Sequence, residues 1–303
     1  MKTIDFKVGT ESVVKLYYWD DVNEPKGVVQ IIHGMAEHSA RYTKFAKFLN
    51  ANGYLVYCND LRGHGFNVVK EELGWDEGDM WTNDLTDQLR LSEYINIQHP
   101  DLPLIVLGHS YGSFLAQAYL PLNRRAVAII FSGSCYMKGG SVFFGRIMAN
   151  HLFRRHGNKV RAKLMYDLTF ATYQNSFKGN GAWITSNEDE AEKYKKDFRC
   201  GYILTTNFYK YFFMGLKKLY KNDKKQANKQ LPLYIFSGTD DAVGKRGKGV
   251  TKLYKYYTEK VGMQNVDLKL YEGGRHEMLN EVNREAVFVD VLEYISKVVT
   301  KKV

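Results

Sequence analysis

The chain has 303 residues, 45% of them hydrophobic and 25% charged, and no apolar run approaches the length of a membrane span. A formal net charge of +10 permits attraction to nucleic acid or anionic lipid, yet no helix-turn-helix, RNP or zinc-finger pattern accompanies it, so nucleic acid is not an expected partner. Three scattered cysteines, Cys58, Cys135 and Cys200, offer neither a disulfide framework nor metal-ligand spacing, and the first residues lack an apolar signal core, so the expected location is cytoplasmic.

Strand-like and helix-like stretches alternate through the first half, the pattern of an α/β chain with a mostly parallel sheet flanked by helices. Gly27 to Ile32 reads as a central strand. Tyr42 to Asn52 reads as a helix with Phe45, Phe48 and Leu49 on one face, and Gly53 ends it. The strand Tyr54 to Asn59 follows, with Cys58 expected as a small buried hydrophobe. Asn83 to Ile97 is a second helix, capped by Thr82 or Asn83. The apolar strand Leu104 to Leu107 leads into Gly108-His109-Ser110-Tyr111-Gly112 and then a helical stretch to Leu120. Ala126 to Phe131 is another buried strand.

Here the alternation stops. Residues 135–230 are aromatic, Met-containing and basic, with helical spacing. Val142, Phe143, Ile147 and Leu152 are set to share one face, and Phe208, Tyr211, Phe212, Leu216 and Leu219 another. Ser186 to Glu190 opens a helix with acids first and lysines after, the polarity the macrodipole favours. Lys217 to Lys225 reads as a solvated helix end, with contact to anionic lipid or an acidic head group as the alternative. Gly244 to Gly249 does not match a phosphate loop and reads as a flexible turn. Strands resume at Leu231 to Phe236 and Asp267 to Tyr271, and an amphipathic helix from Glu285 to Val299 closes the chain. The expected organisation is a body of residues 1–134 and 231–303, with 135–230 inserted as a helical cap.

The G-x-S-x-G pentapeptide at a strand-to-helix junction is the context of a nucleophile elbow. A serine hydroxyl needs an imidazole to take its proton, and the imidazole needs a carboxylate to fix its tautomer. Both follow the ends of later strands, in the order serine, acid, histidine. Asp240 and Asp241 stand in Ser237-Gly238-Thr239-Asp240-Asp241, and His276 stands in Gly273-Gly274-Arg275-His276-Glu277. Adjacent side chains diverge, so only one aspartate is expected to orient His276; Asp240 is more simply a turn residue. The developing oxyanion needs preorganised donors, and the backbone N–H groups of Tyr111 and Met35 are the expected pair. His33, His38 and His64 are expected to bond loop backbone rather than metal. No metal and no organic cofactor is required by this chemistry.

These residues resemble the α/β-hydrolase superfamily, and within it the monoacylglycerol lipase and lysophospholipase group, also called serine aminopeptidase S33-like. His33-Gly34-Met35-Ala36-Glu37-His38-Ser39-Ala40-Arg41-Tyr42 is close to the group's H-G-x-x-E-H-S-x-R-Y stretch. Asp60-Leu61-Arg62-Gly63-His64-Gly65 is similar to its D-x-R-G-H-G loop, and Gly108 to Gly112 to its G-H-S-x-G elbow. The resemblance implies an α/β-hydrolase fold with the cap inserted after the sixth strand. The group's acid commonly stands in G-x-x-D, which lands on Asp241, and its histidine on His276, although Arg275 replaces the usual small residue before it.

The implied activity is hydrolysis of carboxylic esters of monoacylglycerol or lysophospholipid type through an acyl-enzyme, with a lipid ester as substrate and peripheral contact with anionic membrane through the basic cap segment. An S33-type aminopeptidase or a thioesterase is the nearest alternative; an aminopeptidase should present acids to the substrate amine, for which Glu188, Asp189 and Glu190 are candidates. From another class, a hydrolase-like receptor would bind ligand without turnover.

Overall fold

A computed structural model of the chain describes residues 1–9, 12–175, 177 and 183–300. Two strands that the sequence reading did not anticipate come first. β1 (Lys2–Lys7) and β2 (Val13–Trp19) pair antiparallel, and β2 goes on to pair antiparallel with β4 (Tyr54–Asn59). The remaining strands are β3 (Gly27–Ile32), β5 (Leu104–His109), β6 (Ala126–Ser132), β7 (Leu233–Gly238) and β8 (Val266–Tyr271). They form one sheet in the order β1-β2-β4-β3-β5-β6-β7-β8, parallel from β4 onward. β7 starts two residues later than the apolar run suggests, because Pro232 has no N–H for the ladder; its carbonyl instead accepts from Ile129 N–H at 3.0 Å.

Every residue of β3 to β7 is buried, which requires cover on both faces. On one face Val29, Ile31, Ile105 and Leu107 meet Phe45 and Leu49 of α1 (Thr43–Ala51). On the other, Val28, Ile32, Leu104 and Val106 share a core with α2 (Met80–Gln98) and α3 (Tyr111–Tyr119). α2 starts earlier than expected: Asp79, not Thr82 or Asn83, caps it by accepting from Thr82 N–H at 3.0 Å.

Between β6 and β7 the described elements are helical: α4 (Gly140–His156), α5 (Lys163–Tyr166), α6 (Thr172–Asn175), α7 (Glu188–Lys196), α8 (Thr206–Lys218) and α9 (Asp223–Gln226). α8 buries Phe208, Phe212 and Leu216, as its spacing suggests, and Phe208 sets its ring 5.0 Å from that of Tyr111 at the start of α3. Each such buried ring contributes about 1.5–3 kcal/mol. The helical stretch therefore sits above the carboxyl end of the sheet. The expected face of α4 is not buried as a unit. Val142 packs inward, but Phe143 and Ile147 are 51% and 48% exposed. α10 (Lys248–Lys255) follows β7, with Gly247 in the left-handed region as its cap, and α11 (Arg284–Thr300) closes the chain on the α1 side.

Candidate active site

β5 delivers Ser110 at its end with φ 53° and ψ −117°, a strained backbone for a residue with a side chain. Both flanking glycines are required by space. A Cβ on Gly108 would lie 2.3 Å from Gly112 O, and one on Gly112 would lie 2.1 Å from Ile32 O. Ser110 N–H donates to Ser132 O at 3.0 Å, which pins the turn to β6. α3 begins at once, at Tyr111 rather than two residues on. Tyr111 is fixed from below by its hydroxyl, which donates to Asp84 Oδ2 at 2.9 Å.

The loop after β7 buries Asp241 completely and leaves Asp240 exposed. Asp241 Oδ1 lies 3.0 Å from His276 Nδ1, while its Oδ2 accepts from Ser237 Oγ at 2.7 Å. His276 Nδ1 thus faces a carboxylate, and its Nε2 is buried with no hydrogen-bond partner among the described residues. Burial works against the imidazolium, but the charge and hydrogen bond of Asp241, helped by Glu277 and Glu37, carry His276 above its ordinary value. Burial likewise opposes the Asp241 carboxylate, and His276 and Ser237 together hold it below the usual range. Ser110 and His276 line one small cavity of about 10 Å³ with Gly34, Met35, His109 and Trp183. His109, expected only as the variable position of the elbow, lies 4.8 Å from His276 ring to ring and is pushed down to about 4, by burial first and then by His276.

The loop after β3 brings Met35 to the same cavity. No hydrogen bond among the described residues takes up the N–H of Met35 or of Tyr111. His33 holds the loop from beneath: its Nε2 accepts from Leu61 N–H at 2.9 Å and its Nδ1 contacts Gly34 O at 2.7 Å. Asp60 ties the neighbouring loops together, accepting from Ser39 N–H and Phe66 N–H at 2.8 Å each. His64 bonds backbone as expected, through Arg62 O at 2.9 Å. His38 does not; its Nε2 lies 2.9 Å from Asp197 Oδ2, a partner 159 positions away.

One group of residues lacked any role in the sequence reading. Glu37 Oε1 accepts from Gly34 N–H at 2.5 Å and from Tyr42 OH at 2.9 Å. Arg41 donates to Glu37 Oε2 at 2.7 Å and, with both terminal nitrogens, to Glu277 at 2.7 and 2.6 Å. All three are buried or nearly so, and Tyr194 covers the guanidinium at 4.8 Å. The network couples the loop carrying Met35 to the loop carrying His276. Its only sequence signal was the E-H-S-x-R-Y run itself.

Above the site, Trp183 stacks on His276. Its stretch is held to the histidine loop by Glu277 N–H to Ile184 O at 2.7 Å and by Glu281, which accepts from Arg275 N–H at 3.0 Å and Ser186 N–H at 2.8 Å. Glu188 to Glu190 lie in the first turn of α7, where Glu190 pairs with Lys44 and Lys193.

The profile of the serine aminopeptidase S33 family matches residues 23–283. A monoacylglycerol lipase of Mycolicibacterium smegmatis is 39% identical over 108 residues, which span 35% of this chain and 37% of that protein. A phospholipase of Bacillus subtilis is 25% identical over 88% of this chain and 93% of its own length. Among solved structures, a thermostable carboxyl esterase of Bacillus coagulans superposes with a TM-score of 0.86 at 23% identity, covering 98% of both chains.

Proposed function

The chain belongs to the serine aminopeptidase S33 family of α/β-hydrolases, and from that premise we propose that it hydrolyses carboxylic esters of monoacyl lipids through Ser110, His276 and Asp241. Ser110 Oγ attacks the ester carbonyl while His276 Nε2 takes its proton. The oxyanion is received by the N–H groups of Met35 and Tyr111. His276 returns the proton to the departing alcohol, leaving the acyl group on Ser110. A water deprotonated by the same nitrogen then attacks the acyl-enzyme, and the proton goes back to Ser110 as the fatty acid leaves. Asp241 keeps the ring in the tautomer that presents Nε2 as the base and stabilises the imidazolium. The observation that carries this reading is the unpartnered, buried Nε2 of His276, in a cavity shared with Ser110, with Asp241 on the opposite nitrogen.

An ester fits better than an aminoacyl amide. The two carboxylates at the cavity, Glu37 and Glu277, are both bound by Arg41, and Glu190 is bound by lysines away from it. A cavity of about 10 Å³ holds no more than about one water. An acyl chain therefore requires the aromatic cover over Ser110, Phe170 and Trp183, to shift, and residues 135–230 act as the cap that chooses the substrate.

The substrate's source fits the outer surface of α4. Phe143, Phe144 and Ile147 project from it into solvent, and Arg154 and Arg155 follow in its last turn. Apolar side chains flanked by cations suit an anionic lipid surface. We infer that α4 joins the exposed lysines of 217–225 in the proposed membrane contact. Among the described residues no helix is long and apolar enough to cross a membrane. The proposed contact is peripheral and the proposed location cytoplasmic, where three unpaired buried cysteines would stay reduced.

The test is a substrate series of monoacylglycerols, lysophospholipids, short p-nitrophenyl esters and aminoacyl amides. Monoacyl lipids should give the highest kcat/KM. A preference for aminoacyl amides would move the assignment to an aminopeptidase, and binding of all of them without turnover to a receptor.

A further inference from the structure

Away from the cavity, a second group of side chains converges. Cys200 N–H donates to Asp197 O at 2.8 Å, closing a turn with the carboxylate at one end and the thiol at the other. That turn is seated on the loop after β3, because Gly201 N–H donates to Ala36 O at 2.9 Å and Tyr194 OH reaches the same carbonyl at 3.4 Å. The loop brings His38 opposite, with Nε2 2.9 Å from Asp197 Oδ2. One donor atom each from imidazole, carboxylate and thiol lies within 4.8 Å of the others.

We propose that His38, Asp197 and Cys200 form a binding site for a thiophilic divalent metal ion of the zinc class. An imidazole, a carboxylate and a thiolate make a mixed donor set of the kind zinc takes, with water completing four-coordination. The donors are prepared for it. His38 and Cys200 are 4% and 8% exposed, so two ligands are already stripped of most solvent. Asp197 Oδ1 is occupied by Arg199 N–H at 2.9 Å, which fixes the carboxylate and leaves Oδ2 toward the site. The Arg199 guanidinium lies instead over the rings of Phe66 and Phe198, at 4.0 and 4.1 Å.

A His–Asp pair alone would account for the Nε2 contact. It does not account for the thiol: no hydrogen bond among the described residues takes up the Cys200 sulfur, which lies within reach of the pair. The charges facing the three ligands are Arg41 and Arg199 against Glu37, Asp60 and Glu277, and Asp197 adds its own carboxylate.

Binding exchanges the His38–Asp197 contact for two bonds to the ion. The Cys200 thiol proton passes to solvent as the metal–sulfur bond forms, with no change of oxidation state. Neither His38 nor Cys200 lines the cavity at Ser110. The ion is therefore a staple that holds the turn after α7 against the loop leading out of Met35.

The test uses the full chain freed of metal by chelator dialysis and titrated with cobalt(II). One equivalent should bind with a sulfur-to-cobalt charge-transfer band, zinc should displace it, and zinc should raise the melting temperature. Cys200→Ser should lose the band, whereas Cys58→Ser should keep it. Asp197→Asn, which leaves the thiol in place, should keep the band and weaken cobalt at least tenfold. No band in the unaltered protein, a band that survives in Cys200→Ser, or undiminished affinity in Asp197→Asn would each overturn the site.

Discussion

Trp183 lies over His276 with ring centroids 5.3 Å apart and planes inclined by 28°. A residue from the helical stretch thus covers the imidazole from which catalysis is proposed to run. Phe170 backs the indole at 5.4 Å and Tyr173 at 5.6 Å, both tilted to it, so the cover is an aromatic cluster rather than a single side chain. Trp183→Ala should raise the rate at which a bulky fluorophosphonate acylates Ser110 several-fold relative to a small one. An unchanged ratio would show that access is controlled elsewhere.

The pH dependence follows from the raised His276. A base must be neutral, so kcat/KM should rise with pH through a midpoint above the ordinary 6.5, provided chemistry limits the rate. His109, already neutral above about 4, leaves that limb to His276. Stability runs the other way: the His276 contribution is full below about 6.5 and is lost as pH rises through the folded value, while that of Asp241 is lost in acid. Asp241→Asn removes the charge that supports the imidazolium, so it should lower the midpoint and cut kcat by on the order of 10⁴. A midpoint below 6.5 in the unaltered enzyme would contradict the ion pair.

Asp240 gives the matching control. Its side chain is exposed while Asp241 is buried against the imidazole. Asp240→Asn should change kcat less than about two-fold and stability by no more than about 0.5 kcal/mol. Larger damage there than at Asp241 would reverse the two roles.

Arg41 neutralises two buried carboxylates, and removing it leaves both unpaired. Arg41→Met should cost about 3–5 kcal/mol in denaturant unfolding. Arg41→Lys keeps the charge but loses the two-pronged bond to Glu277, and should recover only part of that. A loss under about 1 kcal/mol in Arg41→Met would mean that solvent already screens the cluster.

Much of this was legible in the chain because it rests on local patterns. The apolar runs of β3, β4 and β5 carry no period of two because both of their faces are covered, and the elbow glycines are demanded by backbone contacts. What escaped notice depends on distance along the chain. β1 is the edge strand, its charged residues interrupt the apolar ones and it buries only Phe6, while Lys15 breaks the apolar run of β2. Arg41 meets Glu277 across 236 positions, and His38 meets Asp197 across 159, contacts that no spacing rule relates. The four apolar positions read onto one face of α4 do not share it: at roughly 100° per residue Phe143 and Ile147 turn away from Val142, so they are exposed while Val142 is buried.

Reaction of the protein with a long-chain fluorophosphonate, with the adduct located by peptide mass spectrometry, tests Ser110 as the nucleophile and His276 as its base. One adduct per chain is expected, on Ser110, absent in Ser110→Ala and formed at least about a thousandfold more slowly in His276→Ala, the scale of a lost general base. An adduct on another residue, or labelling of His276→Ala at the unaltered rate, would contradict these assignments.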